Sequence, residues 1–459
     1  MKKLILFCVC LIVFYVPTAC FGAAYTATGD GLFEAAATWG GGGWPDTAGD
    51  TFTIPAGMAV LVSQEHRHAL GESQVNGTLG IATNLNNTVG LRFGDADLNV
   101  ASGATLIMLE QETGGVNLPV ESGDTAYLEW DTTADNASGV SLAQGAIFWA
   151  KGTLSGTTYV GALADDAESH DDDNDIKTVS AMGWSVGDEL AIHTKHTCLT
   201  STCYLTDVSF RKINAISGTS ITLEAYGGNP AADSGVTTVN TGCGSTWTAR
   251  VINLTRNVRV EKVDYLPNPG KYGGTNRPRI VHNATAHGNF EVTLSKISIA
   301  GHSQIDLPVG YNDLWELDDV VIKHQGYAFD ENSQGFDFNG VATNLSYFCE
   351  DGCIEVTADG FIFANTGAYR NTNRGITSDA DYFAIRYLSS GTLVNSTFTG
   401  DVYASYGTHL GGYNNIFNGT HFFGNGYTMF WGGTGHTFIN CEFGWTPEGS
   451  GVTNVSDDW

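Results

Sequence analysis

The chain has 459 residues, with 49 acids against 21 lysines and arginines and a formal net charge of −28. Such a surface repels nucleic acid and anionic lipid, and no Walker loop or glycine fingerprint between strand and helix offers a nucleotide site. Glycine supplies 58 residues, nearly twice the ~7% of ordinary chains. Amphipathic helical stretches are scarce and short alternating runs between Gly, Asn and Asp turns dominate, which reads as all-β.

In chain order, the first element is a targeting segment. Lys2 and Lys3 precede an uninterrupted apolar run, Leu4 to Val16, which suits a secretory leader and is short for a membrane span. Residues 1–24 are read as a signal peptide cut after Gly22 or Ala24. Lipidation at Cys20 is the alternative, disfavoured by Pro17 where a lipobox takes Leu. Removing the leader takes away two lysines and no acid, so the mature chain is more acidic still. No later apolar run is long enough to cross a bilayer. The expected location is secreted or cell-surface, and the expected partner is an extracellular glycan. An acidic polymer would need a bound cation or a local basic patch, and the nearest approach to one is Arg370 with Arg374.

Export permits disulfides. Cys198, Cys203, Cys243, Cys349, Cys353 and Cys441 follow the leader. Their spacings fit no zinc pattern, so structural disulfides or buried thiols are expected.

The N-terminal half carries loop-then-strand punctuation. Pro45 and the Gly40–Gly43 cluster make a loop, Asp50 begins a strand, Ile54–Gly57 ("IPAG") turns, and the strand resumes at Met58. "NGTL" from Asn76 repeats that logic. Further on come Trp184–Ile192 ("WSVGDELAI"), Ile213–Leu223 and Asn253–Glu261 ("NLTRNVRVE"). An acidic excursion, Asp165–Asp175, intervenes. In it Asp171, Asp173 and Asp175 have the odd spacing of an oxygen-ligand calcium loop. Ile176 and Met182 stand where an EF-hand needs Gly and Glu, which excludes that motif. A solvated acidic loop and a calcium site of another type stay open.

In the C-terminal half, residues 263–459, a repeat appears. "LSKISIAG" (Leu294–Gly301) matches "LDDVVIKH" (Leu317–His324) at a spacing of 23. An apolar–Asn–small–polar–Phe motif recurs at "VNSTFTG", "FNGTHFFGNG" and "INCEFGW". Aligning Val394, Phe417 and Ile439 gives spacings of 23 and 22 and puts Asn395, Asn418 and Asn440 in one register. A period near 22 to 23 with short strands predicts a parallel β-helix (solenoid), in which stacked coils bury what one coil cannot. The asparagines are expected to form a stacked amide ladder at a turn. Gly367–Phe383 breaks the period and is read as a long excursion. The chain stops at Trp459 soon after a coil, without a helical cap, as a fragment of a longer protein would.

Taken in order, Trp39, the glycine cluster, Pro45, Gly49-Asp50, "IPAG", "NGTL", "WSVGDE" and "LTRNV" resemble the eight-glycine (G-eight) domain of extracellular proteins. That group includes fibrocystin-like receptors and cell-surface proteins that bind and depolymerise hyaluronan. The resemblance covers roughly Phe33 to Val260 and implies an eight-glycine-like unit over residues 25–262 that leads into a right-handed parallel β-helix. This segment is long for the domain, with extra strands expected between Thr83 and Ala143. No catalytic residue of the hyaluronan-processing relatives maps onto this chain, so the resemblance transfers fold rather than activity.

β-Helix enzymes place carboxylates on consecutive coils, about 5 Å apart, near the separation used in retaining glycoside hydrolysis. His302 and His324 follow equivalent strands, with Asp306, Asp330 and Asp337 in the loops after them. These are the catalytic candidates, a histidine serving as base and a carboxyl as acid. A second strip comprises Asp401, His409, His421 and Glu442, with Arg370 and Arg374 from the excursion. Tyr413, Tyr427, Trp431 and Trp445, with the two arginines, are the sugar-binding candidates, since exposed rings stack on sugar faces while inward rings only fill a core. The sequence leaves three readings: a glycan-binding or adhesion module, a polysaccharide-degrading lyase or hydrolase, and a structural surface protein.

Overall fold

A computed structural model describes residues 22–81, 88–111, 117–131, 138–143, 145–154, 160–162, 175–194, 207–224, 250–262, 279–282, 291–301, 314–318, 320–324, 336–338, 340–343, 346–349, 354–356, 362–364, 367–370, 383–386, 391–399, 401–403, 414–423 and 435–444. Among these the chain is all-β apart from one 3₁₀ turn, Ala36–Trp39. Among the described residues no helix is long and apolar enough to cross a membrane.

Three parallel sheets build the early coils of a stack, and two of them continue through the late coils. Each turn of chain adds a strand to the first sheet, then the second, then the third, and returns to the first one level up. Thr51–Ile54, Ala59–Val62 and Glu65–Leu70 form one such coil. Ser73–Val75, Thr78–Ile81 and Thr88–Phe93 form the next. The second sheet collects twelve strands and the third eleven. The first has six, ending at Arg279–His282. In later coils a four-stranded fourth sheet, beginning at Phe336–Phe338, takes its place in the chain order. The strand Val258–Lys262 pairs with Thr125–Trp130 on one side and Ile297–Gly301 on the other. The third sheet therefore crosses the 262/263 boundary unbroken. Of the extra strands between Thr83 and Ala143, Thr88–Phe93 completes the second coil, Leu98–Val100, Thr105–Met108 and Thr125–Trp130 make a third, and Gly139–Leu142 opens a fourth, while Glu110–Gln111 and Asn117–Leu118 pair antiparallel apart from the stack.

Period-two alternation builds the core. In the second sheet, strand register stacks Val62, Ile81, Met108, Ala150, Leu294, Leu317, Ala342, Phe363, Leu393, Phe417 and Phe438. Wherever burial is described, these side chains are inside until Phe438, which is half-buried and stacks flat on Phe417 at 4.8 Å. One coil cannot shield this row, and its neighbours do.

The repeat holds for the first pair of coils: Leu294 partners Leu317, and Gly301 partners His324. The asparagine register does not hold. Val394 pairs with Asn418, and Asn418 with Ile439. Asn395, Gly419 and Asn440 therefore share the turn, with φ of 48°, 61° and 51°. Asn418 sits one position earlier, at a strand end. The physical requirement is a left-handed corner between second and third sheets, which Asn and Gly adopt at least cost. Lys296 takes the same corner at φ 54°.

In place of an amide ladder, a single nearby asparagine bridges neighbouring coils. Fully buried Asn415 accepts from the Gly391 N–H of the coil below at 2.9 Å, and its Nδ2 lies 3.2 Å from His436 Nδ1 of the coil above. Asn415→Ala should lower unfolding free energy by about 1–3 kcal/mol, because it strands a buried donor. Urea denaturation monitored by circular dichroism reads this; a change under about 0.5 kcal/mol would show that the Asn415 bridge does not hold these coils together.

Between the second-sheet strand Ile147–Lys151 and the third-sheet strand Val258–Lys262 the chain makes an unforeseen detour. It forms a six-stranded antiparallel sheet with its own core of Ile176, Met182, Trp184, Leu190, Ile192, Ile213, Ile221, Leu223 and Val251. The detour's ends are pinned together. Asn257 Oδ1 accepts from the Thr153 N–H at 2.8 Å, and Asn257 Nδ2 donates to the Val120 and Glu121 carbonyls. Leu154 bridges to Arg256.

Candidate functional site

Several of the motif residues quoted from the N-terminal half act as joints. Asp50 does not begin a strand; it caps a loop. Its Oδ1 accepts from the Ala23 N–H at 2.6 Å, and its Oδ2 from the Thr47 and Asp46 N–H groups at 3.0 and 3.2 Å. Asp188, in the second Gly-Asp, repeats this by accepting from the Ser185 N–H at 2.9 Å and from Asn253 Nδ2 at 2.8 Å. Trp39 donates its indole N–H to the Phe33 carbonyl at 2.6 Å. With Phe33, Trp44 and Phe52 it forms an aromatic plug at the first coils. Beside the plug, Glu34 Oε1 accepts from the Ser63 and Gln64 N–H groups and meets His66 Nε2 at 2.9 Å. Both side chains are nearly inaccessible. Burial opposes Glu34 ionisation, but the bonds from His66 and Ser63 outweigh it, so its pKa falls below the ordinary value.

The third sheet assembles a charged strip from distant sequence. Arg92 Nη2 donates to Glu129 Oε2 at 2.9 Å, Arg259 Nη2 lies 3.9 Å from Glu129 Oε1, and Arg259 Nη1 reaches Glu261 Oε2 at 3.5 Å. Glu129 and Glu261 are direct register partners. Neighbouring Tyr127 is buried and donates to the His66 carbonyl at 3.3 Å. Burial, then Glu129 and Glu65, push its phenol well above the ordinary value, so it stays protonated. Each carboxylate here has a guanidinium beside it, which makes the strip a charge-compensated ladder rather than an acid–base pair.

The fourth sheet differs. Asp337 partners Glu355, Glu355 partners Arg386, and Arg386 partners Tyr403. The row beside it is Phe336, Ile354, Ile385 and Val402. By alternation the two rows belong to opposite faces of the sheet. Two acids thus occupy adjacent strands about 4.8 Å apart, with one cation at the next level.

Of the predicted site residues, Asp337 lies in this row. His324 ends a third-sheet strand opposite Gly301, and Arg370 ends another opposite Cys349. The long inserted strand Asp207–Ser217 approaches Gly367–Arg370. His421 and Glu442 are direct partners in the third sheet, whereas Asp401 opens a fourth-sheet strand opposite Phe383. That strip is therefore divided between two sheets. Asp175 is exposed at the start of Asp175–Lys177 in the inserted sheet. His302, Asp306, Asp330, Arg374, His409, Tyr413, Tyr427, Trp431, Trp445, Asp171 and Asp173 lie outside the described residues. Glu355, Arg386 and Tyr403 were missed; the signal for Glu355 was the match of "FDF" with "IEV", while Arg386 and Tyr403 lie in "FAIR" and "DVY", which share no such pattern. Cys441 is a half-buried thiol whose Sγ lies 3.5 Å from the Phe417 carbonyl.

Among the described residues these features define a class of protein: an all-β chain built mainly of stacked parallel sheets. No family model matches the chain, and no curated protein does. Among solved structures it is similar to the tailspike protein gp49 from Pseudomonas phage LKA1, with 11% identity, 80% of this chain and 55% of that chain covered, and a TM-score of 0.26. It is also similar to the Gp54 tailspike of Acinetobacter baumannii bacteriophage AP22, in complex with A. baumannii capsular saccharide. There identity is 12%, coverage is 82% of this chain and 61% of that chain, and the TM-score is 0.19. The chain spans less than two thirds of either structure. Both scores are low, and neither likeness bears on function.

Proposed function

We propose that this chain is an extracellular carbohydrate-engaging protein, a glycan-binding or surface-adhesion module. On this reading it is built as a right-handed parallel β-helix whose first coils are of the eight-glycine type. The observation that carries the reading is the Asp337–Glu355–Arg386–Tyr403 row. It offers one hydrogen-bonding residue per coil along a rigid axis, a rise comparable to one sugar unit of an extended polymer. Carboxyl, guanidinium and phenol groups bond sugar hydroxyls well. With a net charge of −28, neutral glycans or those met by Arg386 are favoured over strongly acidic ones.

A second reading, polysaccharide cleavage, rests on the direct pairing of Asp337 with Glu355. Strand spacing puts two carboxyl residues near the separation at which one serves as acid and the other as nucleophile. A glycan array and a reducing-end assay separate the two. For a binding module, array signal appears without new reducing ends, and Asp337→Asn with Glu355→Gln weakens it by tenfold or more. For an enzyme, reducing ends appear and either substitution slows their release by about 10²–10⁴-fold. Filaments with neither binding nor cleavage would overturn both in favour of a structural surface protein.

A further inference from the structure

The inserted antiparallel sheet is buried on both faces. One face carries Leu190, Ile192 and Val251, which belong to the module's own core. The other carries Ala191 and Ile252, which are direct register partners, with Leu254 two residues further on. Ala191 and Ile252 are fully inaccessible and Leu254 nearly so. Among the described residues these three join neither the module's core nor that of the stack. Register extends their row to Val160 on one side and Phe210 on the other. Something other than the two cores covers this face.

The third sheet shows the complementary sign. Ile299 lies in the core of the stack and pairs with Ile322. Val321, one residue before Ile322, therefore belongs to the opposite, outer face. It is nonetheless fully inaccessible, and among the described residues it too joins neither core. Lower on that face, Arg92, Glu129 and Glu261 share a register row. Their side-chain exposure falls from 22% to 14% to 11%, so the face closes toward the coil at which the module rejoins the stack.

The path of the chain identifies the cover. The module returns to the third sheet at Val258, and its long strand Asp207–Ser217 approaches Gly367–Arg370. Strand pairing leads from Val258–Lys262 to Gly367–Arg370 through Ile297–Gly301, Val321–His324 and Ser346–Cys349. Four steps of ~4.8 Å make about 19 Å, well within the reach of roughly 36 Å that an extended strand of this length has. Val321 lies between the two points at which the module meets the sheet.

We propose that the inserted module is docked on the outer face of the third sheet, its Ile252–Ala191 row set against the strands around Val321, as a strap that ties the coil of Val258 to that of Gly367. The strap closes this face to ligands and leaves the other sheets for a polymer to follow. It is independent of the carbohydrate reading, and its failure would leave the Asp337 row untouched.

The test is maleimide labelling of single-cysteine additions to the full chain, read peptide by peptide in a mass spectrometer. Val321→Cys should react at least about tenfold more slowly than Val186→Cys, which replaces a residue 64% exposed. Adding Ile252→Asp should speed labelling at Val321→Cys by about tenfold or more and leave Val186→Cys unchanged. Ala342→Cys, in the core of the stack, should stay protected throughout, which excludes general unfolding. Rapid labelling of Val321→Cys without Ile252→Asp overturns the proposal. So does protection of Val321→Cys that survives Ile252→Asp, since the cover would then be something other than the module. If Ile252→Asp also exposes Ala342→Cys, a short amine-reactive cross-linker on the wild-type chain decides: a link from Lys212 to Lys323 supports the strap, and its absence overturns it.

Discussion

Phe33→Ala will cost about 3–5 kcal/mol of stability, the usual penalty for deleting a buried ring. Phe33 is fully inaccessible and sits edge-on to Trp39 and Phe52, each at 5.3 Å between ring centres, with His66 at 5.1 Å. Little can collapse into the space, because the surrounding rings are held from outside. The Trp39 indole is tied to the Phe33 carbonyl, and the Phe33 N–H bonds the Leu61 carbonyl. The plug fills the core beneath the first strands of the stack. Chemical denaturation should show a lowered midpoint with an unchanged slope. A loss below about 1 kcal/mol would mean that the plug is dispensable.

Glu34→Ala ranks second, at about 3 kcal/mol. It leaves two backbone donors, Ser63 and Gln64, and the His66 ring without their buried acceptor. Glu34→Gln keeps an oxygen in place and isolates the charge. Because the folded pKa is lowered from 4.5, the ionised carboxylate stabilises the fold above that value. The contribution declines as pH falls through the folded pKa and is gone below it. Wild type should therefore lose stability relative to Glu34→Gln on acidification below about pH 4.5, and match its slope near neutrality. Parallel curves across the acid range would show that the carboxylate is not stabilised by folding.

What could be read in the sequence depended on coil length. Leu294–Gly301 and Leu317–His324 belong to coils of equal length, so a fixed offset aligned them correctly. The asparagine coils differ in length, and matching on the asparagines moved the middle one by a residue. The phenylalanines Phe398, Phe422 and Phe443, which are register partners, would have aligned all three. Asp337 was visible as a lone acid, but its neighbours Glu355 and Arg386 lie beyond loops of unequal length. The charged ladder was invisible for a stronger reason: Arg92, Glu129 and Arg259 share no local pattern, and only the winding brings them together. The inserted sheet escaped notice because alternation in "ELAIHT" or "SITL" reads alike in antiparallel and parallel pairings.

The pinned detour has a consequence for how the molecule assembles. A growing chain leaves the ribosome from one end, and coils laid down early can dock in order of synthesis. At Gly152 that sequence is suspended for about a hundred residues, a separation whose closure entropy rises only slowly with length. The antiparallel module carries its own core and returns its tail to its starting point, and Asn257 then fastens the join. Val258 follows directly and pairs with Ala126, so the clasp fixes the point at which the third sheet is taken up again after the module.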